Sequence, residues 1–553
     1  MKRFFRVSSI LILFSLVLFF VCGCTARTAP GHAARDYVRD PNLNAPGTLP
    51  LVRDRVPLKI GVAQSAVIED WNTNTMTRQL SEMTNVDLSF EVYPAGAEFT
   101  QRVELMIMAG GSDLPDALWG TFNLGNLVRY AEAGVIIPLD MYYENSAHYY
   151  NLALPNFDVD IGRYITSYDG HKYALPRLIV QIGNEYSSNH ISIYRLWLNN
   201  LNLSMPDTIE DFETVLRAFR DGDPNGNGRQ DEIPLIAQTA TATVNLLRYL
   251  MNPFIYTQAN YWIMNNGRID VAFNKPAWRE GLRYAHSLLS QGLISPLSFT
   301  QNETQMTAMI MGTPDIIGAF ARISATNIPD GHPKRTYYSN NPPLRGPGGT
   351  NAFWNPTLPQ AGMIITKNCQ NPEVAFMFGD LLLREDISVW NRFGVRNVNW
   401  RDAGPGDYSH MERLGFPAKF SLIQGMNLWG IIQNQIFAQN GPFLIPGVWP
   451  NGMAYNPAEQ PANFIPGGIF LEPFVRAGNP NPIIGLLYNN EEQQVMDEFH
   501  STIMDYVHES YARFVMGDLS IDRDWDSYVA EFNRMGLNEV IRVTQSCWDR
   551  MNR

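Results

Sequence analysis

LKIGVA at residues 58–63, VDLSFEV at 86–92 and AGGSDLPDALWG at 109–120 decide the fold. The first two are short apolar or alternating runs, the pattern of strands. Between them residues 76–83 carry helical periodicity. Residues 99–109 carry it again, until Gly110, Gly111 and Ser112 stop the helix. A third strand is expected at 113–118, and a further helix at 124–133 closed by Gly134. Strand and helix alternate, so this part of the chain is α/β.

Upstream, residues 1–24 read MKRFFRVSSILILFSLVLFFVCGC, a basic start (Lys2, Arg3, Arg6) followed by an apolar run of export-signal type. The run is too short to span hydrocarbon comfortably, and no later apolar stretch reaches about 18 residues. Val-Cys-Gly-Cys resembles the lipobox of bacterial lipoproteins. That resemblance implies cleavage after residue 23 and lipid attachment at Cys24, which would anchor the chain to a membrane it does not cross. Residues 24–56, rich in Ala, Pro, Gly and Asn, read as a flexible tether.

The chain of 553 residues has a formal net charge of −12, and losing the signal removes three cations more. A chain this acidic is a poor partner for nucleic acid. Of its four cysteines, Cys369 and Cys547 lie far apart without C-x-x-C spacing, so they read as small buried groups rather than a metal framework.

Downstream, residues 194–235 hold a helix, its stop signal and a run of oxygen donors. Thr208 is a candidate N-cap with Asp211 three residues on. Ile209, Phe212, Val215, Leu216 and Phe219 make one apolar stripe, and the helix is expected to end at Arg220. DGDPNGNGRQDE at 221–232 then sets carboxylate or amide oxygens at alternate positions, a pattern suited to calcium and unlike the Cys and His of soft-metal sites. Two registers fit. One starts at Asp221 and follows the EF-hand pattern through Asp223, Asn225, Gly226 and Glu232. The other starts at Asp223 and takes Asn225, Asn227, Gly228, the Arg229 carbonyl and Asp231, with Glu232 adjacent. A plain Asn-Gly turn with its acids in solvent is the alternative to both.

Taken in order, AGGSDLPDALWG, AGVIIPLDMYYE at 133–144, DGHKYALPR at 169–177, WLNNLNLSMPDTIEDFETVLRAF at 197–219, WREGLRYAHSLLSQGLISPLSFT at 278–300 and the run 514–550 resemble bacterial extracellular solute-binding proteins of family 1. These are lipoproteins that deliver sugars to ABC importers. The resemblance implies a periplasmic-binding-protein-like type II fold: two α/β lobes with a ligand cleft between them. It also implies an ABC-transporter membrane permease as partner, and a monomer. Its large oligosaccharide-binding members carry a D-x-N-x-N-G-x-x-D-E calcium loop. Residues 223–232 match it, which favours the Asp223 register and a structural Ca2+ held by Asp223, Asn225, Asn227, Arg229, Asp231 and Glu232. The lobes are expected at 57–175 plus 361–420 and at 176–350 plus 421–553.

Ligand candidates come from composition and position. Residues 421–470 contain one charged side chain, Glu459, beside seven aromatics and eleven Asn or Gln. Aromatic faces for stacking and amides for hydrogen bonding suit a neutral oligosaccharide, which makes Trp429, Trp449 and Tyr455 candidates there. Trp119, Phe122 and Asn123 follow the third expected strand, Glu185 and Tyr186 the first crossing between lobes, and Trp354 and Asn355 precede the second. Judged alone, each is more often a packed structural residue than a ligand contact. Trp197 and Trp525 begin apolar helical stripes that a core explains.

No G-x-S-x-G elbow, H-E-x-x-H helix or Walker loop occurs, and G-P-G-G at 346–349 follows no strand. His171, His190 and His286 are scattered. The expectation is a carbohydrate receptor and no enzyme. A glycoside hydrolase with an acid pair, or a lipoprotein that senses or bridges without transport, are the alternatives.

Overall fold

β1 (Val56–Ala63) pairs in parallel along its whole length with β2 (Val86–Tyr93), Val56 opposite Val86 and Ala63 opposite Tyr93. The crossover helix α1 (Thr75–Thr84) starts where the Asn74 side chain accepts from the Met76 N–H, and buries Met76 and Leu80 against the sheet. This computed structural model describes residues 37–181, 190–239, 245–256, 258–322, 328, 332–351, 356–409, 411–423, 428, 432–455 and 483–552. Residues up to Asp40 are a unit apart; the rest form one body.

After α2 (Ala97–Met108), β3 (Ala117–Phe122) joins β1 in parallel. It begins later than the expected 113–118, because the segment before it serves other contacts. Asp116 Oδ2 accepts from the Lys59 N–H at 2.8 Å, and the Pro115 and Asp116 carbonyls accept from Thr366. α3 (Leu124–Glu132) and β4 (Ala174–Ile179) follow.

The chain then builds a second core. β5 (His190–Tyr194) precedes α4 (Ile209–Asp221) and α5 (Pro276–Ser290). β5 is the middle strand of an antiparallel sheet, between β6 (Ala319–Arg322) and β7 (Tyr338–Asn340). The stripe read on α4 is buried as expected, with Phe212 and Phe219 fully enclosed. Each such ring stabilises the lobe by about 1.5–3 kcal/mol. Helix and sheet approach so closely that a Cβ on Gly318 would lie 2.4 Å from the Phe219 ring.

β8 (Gln360–Ile365) returns to the first sheet between β3 and β4, antiparallel to both, and α6 (Pro372–Leu382) covers it. β9 (Phe443–Ile445) then pairs in parallel with β4, completing the order β9-β4-β8-β3-β1-β2. This corrects the expected division, which gave 421–553 to the second lobe: Ile436, Phe437 and Leu444 are buried in the first core. From Ile483 on, α7 (Ser501–Met516), α8 (Trp525–Arg534) and α9 (Leu537–Met551) complete the second core, which includes Trp197 and Trp525.

Candidate functional site

β3 and β4 run in parallel and β8 against them, so the carboxyl ends of two strands and the amino end of the third share one edge of the sheet. That edge is where open α/β sheets present ligand sites. A cavity of about 1120 Å³ lies there, between the lobes. Its first-lobe wall holds Thr121–Gly125, residues from Asp160 to Lys172, and Leu358–Ala361; Gly485–Asn489, Gln493, Arg550 and Met551 form the facing wall. A volume of this size suits an oligomeric solute better than a single small ring.

Asn123 is fixed because its Oδ1 caps α3, accepting from the Gly125 N–H at 2.8 Å. Tyr164 stands close to Gly485, where an added Cβ would lie 2.7 Å from the phenolic oxygen. With φ at +60°, that position favours glycine on two counts. Arg550 is bound to Glu492 at 2.6 and 2.8 Å. Burial is the largest single influence and works to raise the Glu492 carboxyl, but the Arg550 hydrogen bond and charge together with the Asn489 backbone N–H and Ser546 outweigh it and hold the pKa below its usual range.

Of the residues singled out from sequence, Phe122 and Asn123 line this cavity. Trp119 does not. It is 2 % exposed and packs edge-on to Phe90 at 5.2 Å and Phe437 at 5.3 Å. Because β3 extends to Phe122, Trp119 is a strand residue on the core face rather than a loop residue. Trp449 is also held by packing: its Nε1 donates to Glu385 at 2.6 Å, and its ring lies under the Lys419 ammonium at 4.4 Å and beside Trp400. Tyr455 is described in its backbone alone, paired with Tyr408. Cys24, Glu185, Tyr186, Trp354, Asn355 and Trp429 lie outside the described residues. Arg163, Tyr164, Tyr488 and Gln493 were missed; the polar break GLLYNNEEQQ at 485–494, ahead of a long helix, was the available signal.

The oxygen-rich loop follows α4, whose capping box joins Thr208 and Asp211 as expected; the helix runs one residue past Arg220, to Asp221. Asp221 is turned aside by its two bonds to Arg220 at 2.7 and 2.9 Å. Asp223 instead folds the loop on itself, accepting from the Asn227 N–H and the Gly228 N–H, each at 3.0 Å. Gly228 has φ at +73°, and the loop needs that turn. Asn225 and Asn227 direct their amide groups to Asp231, with Asn227 Nδ2 at 3.0 Å. Glu232 is buried, and neither of its carboxylate oxygens has a hydrogen-bond partner. Burial, aided by Asp223 and Asp231, raises its pKa against the opposing pull of the nearby Glu232 and Asp231 backbone N–H groups, neither of which reaches hydrogen-bond geometry. Among the described residues no three His, Cys, Asp or Glu side chains are gathered as a metal-holding group. What is gathered is a mixed set of carboxylates and carboxamides around an orphaned buried acid, the donor chemistry of a hard cation. The loop is tied to the second sheet through Asn225 Nδ2, which donates to the Asp315 carbonyl at 3.1 Å, while the Asp315 side chain binds Lys334 at 2.6 Å and Tyr194 at 2.5 Å.

No family model matches the chain. Its sequence is 24% identical over 572 aligned residues to the fructooligosaccharide ABC transporter substrate-binding protein FusA of Streptococcus pneumoniae, covering 99% of this chain and 98% of that protein. The lipoprotein LipO of Bacillus subtilis is 29% identical over 99 residues, 18% of this chain and 20% of LipO. FusA in complex with kestose superposes with a TM-score of 0.72 at 21% identity, covering 90% of this chain and 99% of FusA. An HMO-binding ABC-transporter-associated solute binding protein from Bifidobacterium longum infantis superposes at 0.70 and 18% identity, covering 90% and 99%. An EF-hand mutant of FusA has also been solved. The fold is thus that of two-lobed solute-binding proteins, as the sequence resemblance implied, and the full-length relative is a binding protein. No helix among the described residues is long and apolar enough to cross a membrane.

Proposed function

We propose that this chain, similar from end to end to an ABC-transporter substrate-binding protein, is the receptor of an ABC importer and takes an oligosaccharide between its lobes. The observation that carries the reading is the match over 99% of the chain to a relative whose name states that role. The interlobe cavity supports it. Phe122 offers an apolar face, and Asn123 and Gln493 offer amides, one lobe to each side. Glu185, Tyr186, Trp354, Asn355, Trp429 and Tyr455 are the further contacts proposed from sequence.

A ligand that touches both lobes binds the closed arrangement better and raises its population by that difference. The chain alters no bond in the solute and passes it to a membrane permease. A lipid on Cys24 would hold the receptor at the outer face of the cell membrane, as a monomer on its tether.

Asp223, Asn225, Asn227, Asp231, Glu232 and the Arg229 carbonyl would hold Ca2+. The ion would supply structural cross-linking of α4 to the segment that follows, and no step of transport. Its fit rests on the Glu232 oxygens left without partners.

Titration calorimetry of the unlipidated chain from residue 25 with neutral and acidic oligosaccharides tests the reading. Saturable 1:1 heat with one class supports it; release of shorter sugars would instead establish the hydrolase.

A further inference from the structure

Arg177 lies within β4, two residues before its end at Ile179, and is the one charged side chain in YALPRLIVQI at 173–182. Its guanidinium is over the Phe443 ring at 5.1 Å. Nη2 donates to the Gln439 carbonyl at 2.9 Å, and Nη1 to Thr121 Oγ1 at 3.4 Å. No carboxylate among the described residues pairs with it. Burial alone lowers its pKa to about 10, with no acid acting the other way.

A second guanidinium approaches the same residue. Arg392 Nη1 donates to Gln439 Oε1 at 2.7 Å, and burial lowers its pKa to about 9. Gln439 thus accepts from one arginine through its backbone carbonyl and from another through its side chain, on a backbone with positive φ at both Ala438 (+47°) and Gln439 (+60°). Thr121 is at once the partner of Arg177 and part of the cavity wall, and Gln360, also in that wall, stands opposite Arg177 in the sheet.

Arg177 is half-buried, and even a partly desolvated cation is normally matched by an anion, because a neutral carbonyl and hydroxyl restore only part of its lost hydration. A guanidinium with donors to spare can grip a carboxylate or sulfate through two charge-assisted hydrogen bonds. A neutral sugar offers no such compensation.

We propose that Arg177, outside the cavity lining itself but hydrogen-bonded to Thr121 of its wall, recognises an anionic substituent, carboxylate or sulfate, on the oligosaccharide. The inference rests on the receptor reading above and narrows it to an acidic sugar.

The test is calorimetry of the wild type, R177Q and R177K with three probes: kestose, trigalacturonate and a sulfated oligosaccharide of matching length. At least one acidic probe is expected to bind the wild type about ten-fold or more tighter than kestose, with an affinity that falls as salt is added. Which acid wins separates carboxylate from sulfate. R177Q should bring the acid down to the level of kestose, and R177K should keep part of the preference. If R177Q does not fold, the salt dependence of the wild type still decides. Kestose binding as tightly as both acids, or acid binding indifferent to salt and to R177Q, overturns the proposal and leaves the receptor reading standing. Silence with all three probes brings down both.

Discussion

Arg163 of the first lobe reaches the last turn of α9 in the second, its Nη2 donating to the Met551 carbonyl at 2.9 Å. The bond is exposed, so its net contribution to stability is about 1 kcal/mol or less. Its place between the lobes matters more. R163A is expected to melt close to the wild type while the ligand-free radius of gyration measured by X-ray scattering increases. An unchanged radius would show that this contact does not restrain the lobes.

Removal of Ca2+ should destabilise the second lobe. At a free concentration of about 100 times Kd the ion would add about 2.7 kcal/mol. Chelator should therefore lower the melting temperature, and E232Q should abolish the calcium-dependent increment while leaving the chelated baseline unharmed or raised. A melting curve indifferent to chelator, with no calcium found by elemental analysis, would remove the ion from the account.

The same carboxyl gives a pH dependence. Glu232 has its folded pKa raised above 4.5, chiefly by burial. The metal-free fold therefore retains a proton that the unfolded chain has released. Its stability contribution is whole below the unfolded value and is lost as pH rises through the folded one. In chelator, stability should decline on going up from pH 4.5, whereas the increment due to Ca2+ should grow, because the ion needs the ionised carboxylate. Differential scanning calorimetry across that range, with and without calcium, separates the trends. An increment that does not vary with pH contradicts them.

Thr208 and Asp211 exchange hydrogen bonds of 3.0 and 3.2 Å at the start of α4. T208A should cost about 1 kcal/mol in urea unfolding. A loss under about 0.3 kcal/mol would mean that tertiary packing alone sets this helix start.

Asp380 in α6 accepts three backbone N–H groups, from His148 at 3.0 Å, Tyr149 at 2.9 Å and Tyr150 at 2.8 Å, at the head of the short helix Tyr149–Ala153. The Asp380 side chain is almost fully buried. D380A leaves these donors without their acceptor and should cost about 3 kcal/mol or more, read by equilibrium unfolding. A change near 1 kcal/mol would indicate that water enters and replaces the carboxylate.

What could be read from the sequence was what is local. The strand-helix alternation of residues 58–134, the Thr208 cap and the α4 stripe all depend on neighbours within a few turns, and each is present in the structure. Non-local partners were the limit. Phe443–Ile445 is three apolar residues in a Pro- and Gly-rich stretch, and nothing in it announces that β4 waits some 260 positions earlier to pair with it. Trp119 reads as a loop aromatic because the sequence pattern puts its strand at 113–118, whereas the strand spans Ala117–Phe122. Its true surroundings, Phe90 and Phe437, come from distant parts of the chain. Arg177 did leave a trace, as a solitary cation in an apolar run, but its meaning depends on Gln439 and Arg392, which only the folded sheet brings near.

X-ray scattering of the chain from residue 25, titrated with the oligosaccharide that gives the largest calorimetric signal, tests the central claim most directly. Lobes that close on a sugar predict a radius of gyration that shrinks to a plateau at the calorimetric midpoint, with the sugar recovered at its original length. A radius that stays constant through saturation, or sugar recovered in shorter pieces, would contradict it.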